Sequence, residues 1–227
     1  PFNFESPNHT ARQLVTNPEN TTASPKGWHD TNTIAGNTAS LKYTYLRGNN
    51  SWVRADYGNT NPTAHSTTAT VNGYSPTNAG LIFDYPYPGV AVAPSTYVDA
   101  ATTNLFYMTN VLHDIWYQYG FNEPNGNFQQ TNFITGGNAA DALWGDAQDG
   151  SQLATPSTNN ANFSTPVDGT KPRMQMYVWN YGPKSLFVLS PSSIAGEYYS
   201  ADNGFSPGNV PVPSAPGLIQ TELALYL

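Results

Sequence analysis

The chain has 227 residues, of which 38% are hydrophobic, 13% aromatic and 10% charged, and its formal net charge is −7. Low charge combined with many aromatic side chains excludes an intrinsically disordered chain. Only 8 Lys and Arg stand against 15 Asp and Glu, which argues against binding to nucleic acid. No apolar run approaches the roughly 20 residues needed to cross a bilayer, so we expect no membrane partner.

The first third of the chain is predicted to be rich in turns and short strands. Residues 1–40 contain prolines and glycines that interrupt any helix. Residues 41–46 are predicted to form a strand, residues 47–50 a turn and residues 51–57 a hairpin partner. Residues 60–77 are polar and predicted to form a loop. Residues 81–85 are a further strand candidate that ends at two prolines.

One long helix is predicted over residues 95–120, with its regular part at about 96–119. Ser95 is a candidate N-cap, and Gly120 can adopt the left-handed conformation that ends a helix. Apolar side chains recur at alternating steps of three and four residues, which is the signature of one helical face. They are Val98, Ala101, Leu105, Met108, Leu112, Ile115 and Tyr119. The pattern predicts a helix that is buried on more than one side, packs against a sheet and organises the core.

The segment after the helix is predicted to contain a loop and two strands. Residues 141–150 are predicted to be an acidic loop in which Asp141, Asp146 and Asp149 could hold calcium, although their spacing matches no helix-loop-helix calcium loop. Residues 159–163 are predicted to form a short strand.

Residues 173–179 alternate clearly and are the best strand signal of the chain, with Met174, Met176 and Val178 on one face. After residue 182 the composition changes, and residues 183–227 are predicted to begin a separate β-rich unit.

The chemistry-bearing residues do not by themselves define an active site. The histidines at positions 9, 29, 65 and 113 include no pair four residues apart, so no helical zinc-binding pair is present. His113 is most simply interpreted as a core histidine that bonds Asn110 or a backbone carbonyl. The chain has no Cys, and no Ser lies in a Gly-x-Ser-x-Gly elbow.

Several collinear motifs nevertheless resemble the fungalysin family of zinc metallopeptidases, over about residues 10 to 180. The opening 16–30 and the turn at 47–50 fit that family too. The most specific motifs are N-L-F-Y-M-T-N-V-L-H-D-I-W-Y-Q-Y-G-F-N-E (104–123), G-N-F-Q (126–129), D-A-Q-D-G-S (146–151), N-N-A-N-F (159–163) and P-R-M-Q-M-Y-V-W (172–179).

This resemblance implies an α+β fold, namely the β-rich N-terminal lobe of a thermolysin-like enzyme over residues 1–182, with one long central helix. The family takes its zinc ligands from an H-E-x-x-H helix and a later Glu, and that motif does not occur in this chain. Residues 183–227 resemble the incomplete start of an inserted protease-associated domain. The zinc ligands are therefore expected outside this chain, in the remaining C-terminal catalytic lobe, and calcium is a possible second ion.

The resemblance also implies a secreted enzyme whose partner is a protein or peptide substrate. Asn160 and Ala161 match the edge-strand segment with which the family is expected to pair an extended substrate. No catalytic residue and no metal ligand can be assigned within the chain. Two alternatives stay open: a non-catalytic β module that binds glycans or peptides through aromatic side chains, and a catalytically dead paralogue that acts as a scaffold.

Overall fold

The structure is a computed structural model that describes residues 14–31, 42–88 and 92–179. Its elements are the strand β1 (Ser51–Ala55), the helix α1 (Val98–Gln118), and the strands β2 (Leu143–Asp149), β3 (Ala161–Ser164) and β4 (Arg173–Tyr177). Two single-turn 3₁₀ helices, Pro94–Thr96 and Glu123–Asn125, flank α1. The mixture of one helix and one sheet is compatible with the predicted α+β class. The predicted β-rich unit at 183–227 lies outside the described residues.

The four strands form one mixed sheet in the order β1-β2-β4-β3. β1 pairs with β2 and β2 with β4 in parallel, whereas β3 pairs with β4 in antiparallel orientation. Neighbouring strands are aligned so that residues of one face lie side by side, for example Val53 beside Gly145 and Gly145 beside Met174. β3 is consequently one edge of the sheet.

Helix α1 covers the β1 and β2 half of the sheet. Leu105 and Phe106 of α1, Val53 of β1 and Ala147 of β2 form the centre of the hydrophobic core. The helix can approach so closely because Gly145 has no side chain: a Cβ there would lie 2.9 Å from Val53 Cγ2 and 3.5 Å from Leu105 Cδ2. No helix in the described ranges has the length and apolar character needed to span a membrane.

The ends of α1 follow the prediction at one terminus only. The predicted cap at Ser95 is wrong, because Ser95 lies inside the 3₁₀ helix Pro94–Thr96 and Tyr97 occupies the N-cap position without a side-chain hydrogen bond. At the other end Gly120 has φ +99°. Its N–H donates to Tyr117 O, and the N–H of Phe121 donates to Trp116 O, which together make a Schellman motif.

The exposed residues of α1 show that its predicted apolar row is buried only in part by the described residues. Val98 and Leu105 are buried as expected, but Leu112, Ile115 and Tyr119 are exposed. Several of the buried side chains of α1 are instead polar, namely Thr102, Thr109, Asn110 and Asp114. The C-terminal half of the helix therefore leaves much of its apolar row uncovered by the described residues.

Three strand-level predictions are wrong. Residues 42–47 form isolated bridges rather than a strand: of the predicted hairpin only an antiparallel bridge from Arg47 to Trp52 is present, and β1 pairs along its length with β2 in parallel. Residues 81–85 have irregular backbone. The predicted acidic loop is the central strand β2, because its carboxylates are buried and paired rather than solvated.

Three other predictions for this part of the chain are confirmed. Residues 60–77 form no strand of the sheet, residues 159–163 contribute β3 and residues 173–179 contribute β4.

Candidate substrate-binding edge

Asn160 and Ala161 lie where β3 begins, at the exposed edge of the sheet. All four residues of β3 are exposed, and Asn160 directly before it is exposed too. Within the described ranges β3 pairs with β4 only. An open strand edge is normally covered or blocked, because it can pair with any extended chain. The structure thus places both predicted residues at an exposed edge of the described sheet.

The hydrogen-bond alternation of an antiparallel pair shows which backbone groups of β3 are free. Tyr177 N donates to Asn160 O at 3.3 Å, so Asn160 and Tyr177 form a hydrogen-bonded pair. The next opposed pair, Ala161 and Met176, is then of the non-hydrogen-bonded kind, and the pair of Phe163 and Met174 repeats it. The N–H and C=O groups of Ala161 and Phe163 therefore point away from β4.

The side chain of Asn160 already forms a hydrogen bond with one of these outward-pointing backbone groups. Its Oδ1 accepts a hydrogen bond from Ala161 N–H at 2.9 Å. This contact satisfies the outward donor of Ala161 and leaves its carbonyl oxygen as the outward acceptor. It also fixes the side-chain amide of Asn160 beside the outer edge of β3.

Two contacts hold β3 in place from its two faces. Phe163 lies on the face toward α1 and meets the ring of Phe128 at 6.1 Å, which in turn meets Phe121 at 5.1 Å. On the opposite face Asn162 Nδ2 donates to the hydroxyl of Tyr177 at 3.2 Å. The edge strand is therefore anchored by its side chains while its outer backbone stays open.

The face of the sheet away from α1 carries a buried network of charges. Arg54 and Asp146 are both fully buried, with Arg54 Nη2 and Asp146 Oδ1 3.1 Å apart. Arg173 of β4 pairs with Asp146 through Nε at 2.5 Å and with Asp56 through Nη2 at 3.0 Å. Asp149 completes the group, 3.5 Å from the same Arg173 nitrogen. Three carboxylates and two guanidinium groups leave one negative charge inside the protein.

That surplus charge is reflected in Asp149. Burial, together with the negative charges of Asp56 and Asp146, raises the pKa of Asp149 from 3.8 to about 6. Gln175 offsets part of this effect because its Nε2 donates to Asp149 Oδ2. The network therefore ties β1, β2 and β4 together from the face opposite to the helix.

The predicted calcium ligands are not brought together as a set. Asp56, Asp146 and Asp149 are the carboxylates whose oxygens lie within 4.8 Å of one another in the described residues, and Asp141 is not among them. Asp141 accepts hydrogen bonds from Gln129 N and Gly169 N, each at 3.0 Å.

The histidines of the described ranges do not fit a zinc site. His29 stacks on Phe83 at 5.3 Å, and burial lowers its pKa from 6.5 to about 4. His65 stacks on Tyr45 at 3.8 Å. The one cluster of three potential ligands found in the described residues is the aspartate group, which includes no histidine. The described residues therefore contain no group of side chains with the composition of a catalytic zinc site.

His113 is a buried structural histidine, as predicted, but its partners differ from those expected. Its Nδ1 lies 3.0 Å from Asp114 Oδ1 and its Nε2 lies 3.1 Å from Gln129 Oε1. Asn110 instead donates to Ser51 Oγ and Phe106 O.

Asp114 joins the helix to the N-terminal segment of the described chain. It accepts hydrogen bonds from the backbone N–H of Asn20, the hydroxyl of Ser24 and the indole N–H of Trp28. Burial opposes ionisation, but these donors and His113 outweigh it and lower the pKa of Asp114. The sequence analysis missed the role of Asp114, because these partners are 86–94 residues away along the chain.

Fold and edge together define an α+β lobe in which a long helix covers β1 and β2 and no other described strand pairs with the outer side of β3. The family model described as fungalysin metallopeptidase matches residues 1–209. The chain belongs to this family, which confirms the resemblance seen in its motifs.

Named relatives agree with the family. The chain is 43% identical over 171 residues to the extracellular metalloproteinase MEP of Pyricularia oryzae, covering 75% of this chain and 24% of that protein. It is 45% identical over 159 residues to extracellular metalloproteinase 3 of Trichophyton tonsurans, covering 70% of this chain and 22% of that protein. With extracellular metalloproteinase 5 of Arthroderma otae the identity is 40% over 175 residues, covering 76% and 24%. The chain thus spans about a quarter of the length of these relatives.

Proposed function

We propose that this chain is the N-terminal lobe of a secreted zinc-dependent metalloendopeptidase, in which it supplies one wall of the cleft and a strand that pairs with the substrate. The observation that carries the proposal is the open outer edge of β3, where Asn160 and Ala161 are exposed and unpaired by any other described strand. Membership of the fungalysin family supplies the reaction class. The names of the relatives, which include the word extracellular, support secretion.

The edge suits an extended peptide because it offers backbone groups in the spacing of a strand. Ala161 C=O and the N–H and C=O groups of Phe163 point outward, so a peptide can add alongside β3 through main-chain hydrogen bonds. Such bonds recognise any extended sequence and leave side-chain preference to the pockets on either face. In this proposal the Asn160 side chain, which bonds Ala161 N–H, contacts the backbone of the same peptide.

The zinc chemistry of the proposed enzyme belongs to residues outside this chain. A peptidase zinc polarises the scissile carbonyl and activates a water molecule, and the described residues hold no ligand set for it. The 227-residue chain alone is therefore expected to be inactive. Its proposed partners are the remaining C-terminal catalytic lobe and the peptide substrate.

Calcium, expected as a possible second ion, has one candidate position in the described residues. Asp56, Asp146 and Asp149 lie together there, but Arg54 and Arg173 already pair with them. A bound calcium ion would have to displace Arg173, the less buried of the two arginines. The geometry favours an ion-pair network at this position over a calcium site.

The aromatic side chains give little support to a glycan-binding module. A sugar-binding platform needs exposed rings that lie flat in one plane, whereas the Tyr and Trp rings that touch in the described ranges meet edge-on. The pairs Tyr43–Tyr45 and Trp116–Tyr119, for instance, meet at 69° and 62°. The catalytically dead scaffold is distinguished by the coding sequence after Leu227: an H-E-x-x-H motif with a later Glu supports the enzyme.

The test of the proposal is a kinetic comparison in the longer, active protein. We expect Asn160→Ala to lower kcat/KM for an extended peptide roughly five- to tenfold, the effect of losing about 1 kcal/mol of hydrogen bonding. Asn138→Ala is the matched control, because Asn138 is an exposed asparagine that bonds Asp168 away from β3. Equal kcat/KM values for Asn160→Ala and the unaltered protein would contradict the role of the edge.

A further inference from the structure

The residue directly before the proposed substrate-pairing residues has an uncommon backbone conformation. Asn159 has φ +56°, which lies in the left-handed region that glycine and asparagine adopt and that β-branched residues avoid. Asn159 is exposed, so burial in the core does not explain why an asparagine occupies this position. The position therefore requires a residue that can adopt this backbone conformation.

The left-handed residue separates two kinds of pairing with the end of β4. Before it, Thr158 forms an isolated parallel bridge with Val178. After it, Ala161 pairs with Met176 in antiparallel orientation. The two kinds of pairing place the backbone hydrogen bonds differently, so the chain has to turn between them. Asn159 lies at this change of pairing.

The turn directs two consecutive residues toward the end of β4. In a regular antiparallel pair, the backbone groups of one residue face the partner strand and those of the next residue face away. Here the N–H of Asn159 donates to Val178 O at 2.9 Å, and the C=O of Asn160 accepts from Tyr177 N at 3.3 Å. The peptide unit between Asn159 and Asn160 is thereby held on both sides.

The loop that leads from β2 to Asn159 is also fixed at both of its ends. At its start, the N–H of Gly150 donates to Asp56 O at 2.9 Å. At its end, the N–H of Ser157 donates to Gly150 O at 3.2 Å. Because the loop is closed just before Thr158, the direction in which the chain enters β3 depends on the backbone conformation of Asn159.

Asn160 is consequently held by several contacts although it is exposed. Its C=O bonds Tyr177, the residue before it bonds Val178, and its Oδ1 accepts from Ala161 N–H at 2.9 Å. Strand β4, which ends at Tyr177, is an inner strand of the sheet and a firm support. A side chain that is already fixed loses little conformational entropy when it binds a ligand.

We propose that Asn159 is a positioning residue, whose left-handed conformation orients Asn160 and the start of β3 toward an extended peptide. This inference rests on the proposed function, because Asn159 acts through Asn160. The role does not require contact between Asn159 and the peptide. It requires a residue that adopts a positive φ without strain, which glycine does and valine does not.

The test compares two substitutions of Asn159 in the longer, active protein. Asn159→Gly keeps the left-handed conformation and removes the side chain, so kcat/KM for an extended peptide should stay within about twofold of that of the unaltered protein. Asn159→Val opposes the conformation, so kcat/KM should fall roughly five- to tenfold, as for Asn160→Ala. Asn159→Ala, with a smaller steric conflict, should lie between them, and the test then does not depend on the folding of the valine variant.

The matched control is Asn17→Val. Asn17 is an exposed asparagine with φ +47°, so valine meets the same conflict there. Its segment contributes no strand to the described sheet. We therefore expect Asn17→Val to leave kcat/KM unchanged.

A double substitution separates positioning from general damage to the fold. Because Asn159 acts through Asn160, Asn159→Val should lower kcat/KM by less than about twofold in a protein that already carries Asn160→Ala. A merely structural effect would lower kcat/KM by the same factor with and without Asn160→Ala.

Three results would overturn the positioning role. They are an unchanged kcat/KM in Asn159→Val, equal losses in Asn159→Gly and Asn159→Val, and a full further loss when Asn159→Val is added to Asn160→Ala. The proposed function fails in a different way. An unchanged kcat/KM in Asn160→Ala would refute the substrate edge together with the positioning role, whereas a loss in Asn160→Ala without a loss in Asn159→Val would refute the positioning role alone.

Discussion

The two edges of the sheet differ in how far other parts of the chain pair with them. At β1, isolated antiparallel bridges from Arg47 to Trp52 and from Tyr74 to Ala55 close the outer side of the strand. At β3 no other described strand pairs with the outer side, and the Asn160 amide satisfies one outward group only. One edge is sealed by the chain itself, and the other is left available for pairing.

The difference shows that openness at β3 does not result from a general shortage of covering chain. Other segments of the same polypeptide bridge to the outer side of β1 at Trp52 and Ala55. Strand edges are usually blocked because an open edge can pair with other chains. An anchored strand whose outer side is free therefore indicates a site where a partner chain binds. In the metallopeptidase lobe that we propose, the extended substrate would be that partner.

The largest expected effect contrasts an inner strand with the open edge. Asp146→Ala removes the partner of Arg54 and Arg173 and leaves Arg54 buried without its closest carboxylate. We expect a loss of about 3–5 kcal/mol in the free energy of unfolding, as for a broken buried ion pair. Chemical denaturation of the 227-residue chain measures it.

The matched control for this change is Asn162→Ala on β3. Its side chain is exposed and loses only the hydrogen bond to Tyr177, so we expect a loss below about 1 kcal/mol. Similar losses for Asp146→Ala and Asn162→Ala would contradict the view that the inner strands hold the sheet together while the edge is only lightly anchored.

The next effect is a pH dependence that arises from Asp149, which joins β2 to Gln175 of β4. The pKa of Asp149 is raised from 3.8 to about 6, so the folded chain binds this proton more tightly than the unfolded chain does. The free energy of unfolding therefore falls as the pH rises from 3.8 to about 6. Above the folded pKa the full loss of about 3 kcal/mol is reached. Asp149→Asn, which can still accept from Gln175, should remove that loss.

The measurement is urea denaturation of the Asp149→Asn variant and the unaltered chain at the two ends of this window. His29 contributes the opposite slope, because its lowered pKa of about 4 makes the folded chain lose stability as the pH falls. The informative quantity is therefore the difference between variant and unaltered chain. A difference that does not grow from acidic to neutral pH would contradict the buried surplus charge.

The smallest effect tests the sealed edge. Tyr74 bridges to Ala55, and its hydroxyl donates to Asp99 Oδ1 at 2.5 Å near the start of α1. Tyr74→Phe should cost about 1.5–3 kcal/mol, as for a hydrogen bond to a charged group, and should speed amide exchange at Ala55, whose N–H donates to Tyr74 O. Tyr119→Phe, at an exposed tyrosine, is the control and should change neither quantity. Unchanged exchange at Ala55 would show that the edge is sealed by other contacts.

The elements that the sequence predicted correctly are those whose signal is local. The periodicity of residues 98–119 and the alternation of residues 173–179 reflect short-range geometry, and both elements are present. Strand β2 escaped prediction because Asp146 and Asp149 look solvated in sequence, whereas Arg54 and Arg173 pair with them from other strands. These ion pairs join residues that are 92 residues apart for Arg54 and 24–27 residues apart for Arg173. They therefore leave no local pattern in the sequence.

The candidate site shows the same limit. The backbone offers no sequence signal of which strand lies at an edge, and the position of Asn160 and Ala161 followed from family motifs alone. Likewise the partners of His113 depend on how the segment around Gln129 returns to the helix. The periodicity correctly predicted that the apolar residues of α1 lie in one row along the helix. It could not show which residues cover that row, and the described residues leave Leu112, Ile115 and Tyr119 exposed.

The central claim is that β3 receives an extended peptide along its open side. The most direct measurement is amide hydrogen exchange across residues 158–178 of the longer protein, with and without a non-cleavable peptide analogue. We expect new protection at Phe163, whose N–H points outward, with little change at Gln175, which faces β3 from within the sheet. Protection that appears elsewhere while Phe163 exchanges unchanged would contradict the account.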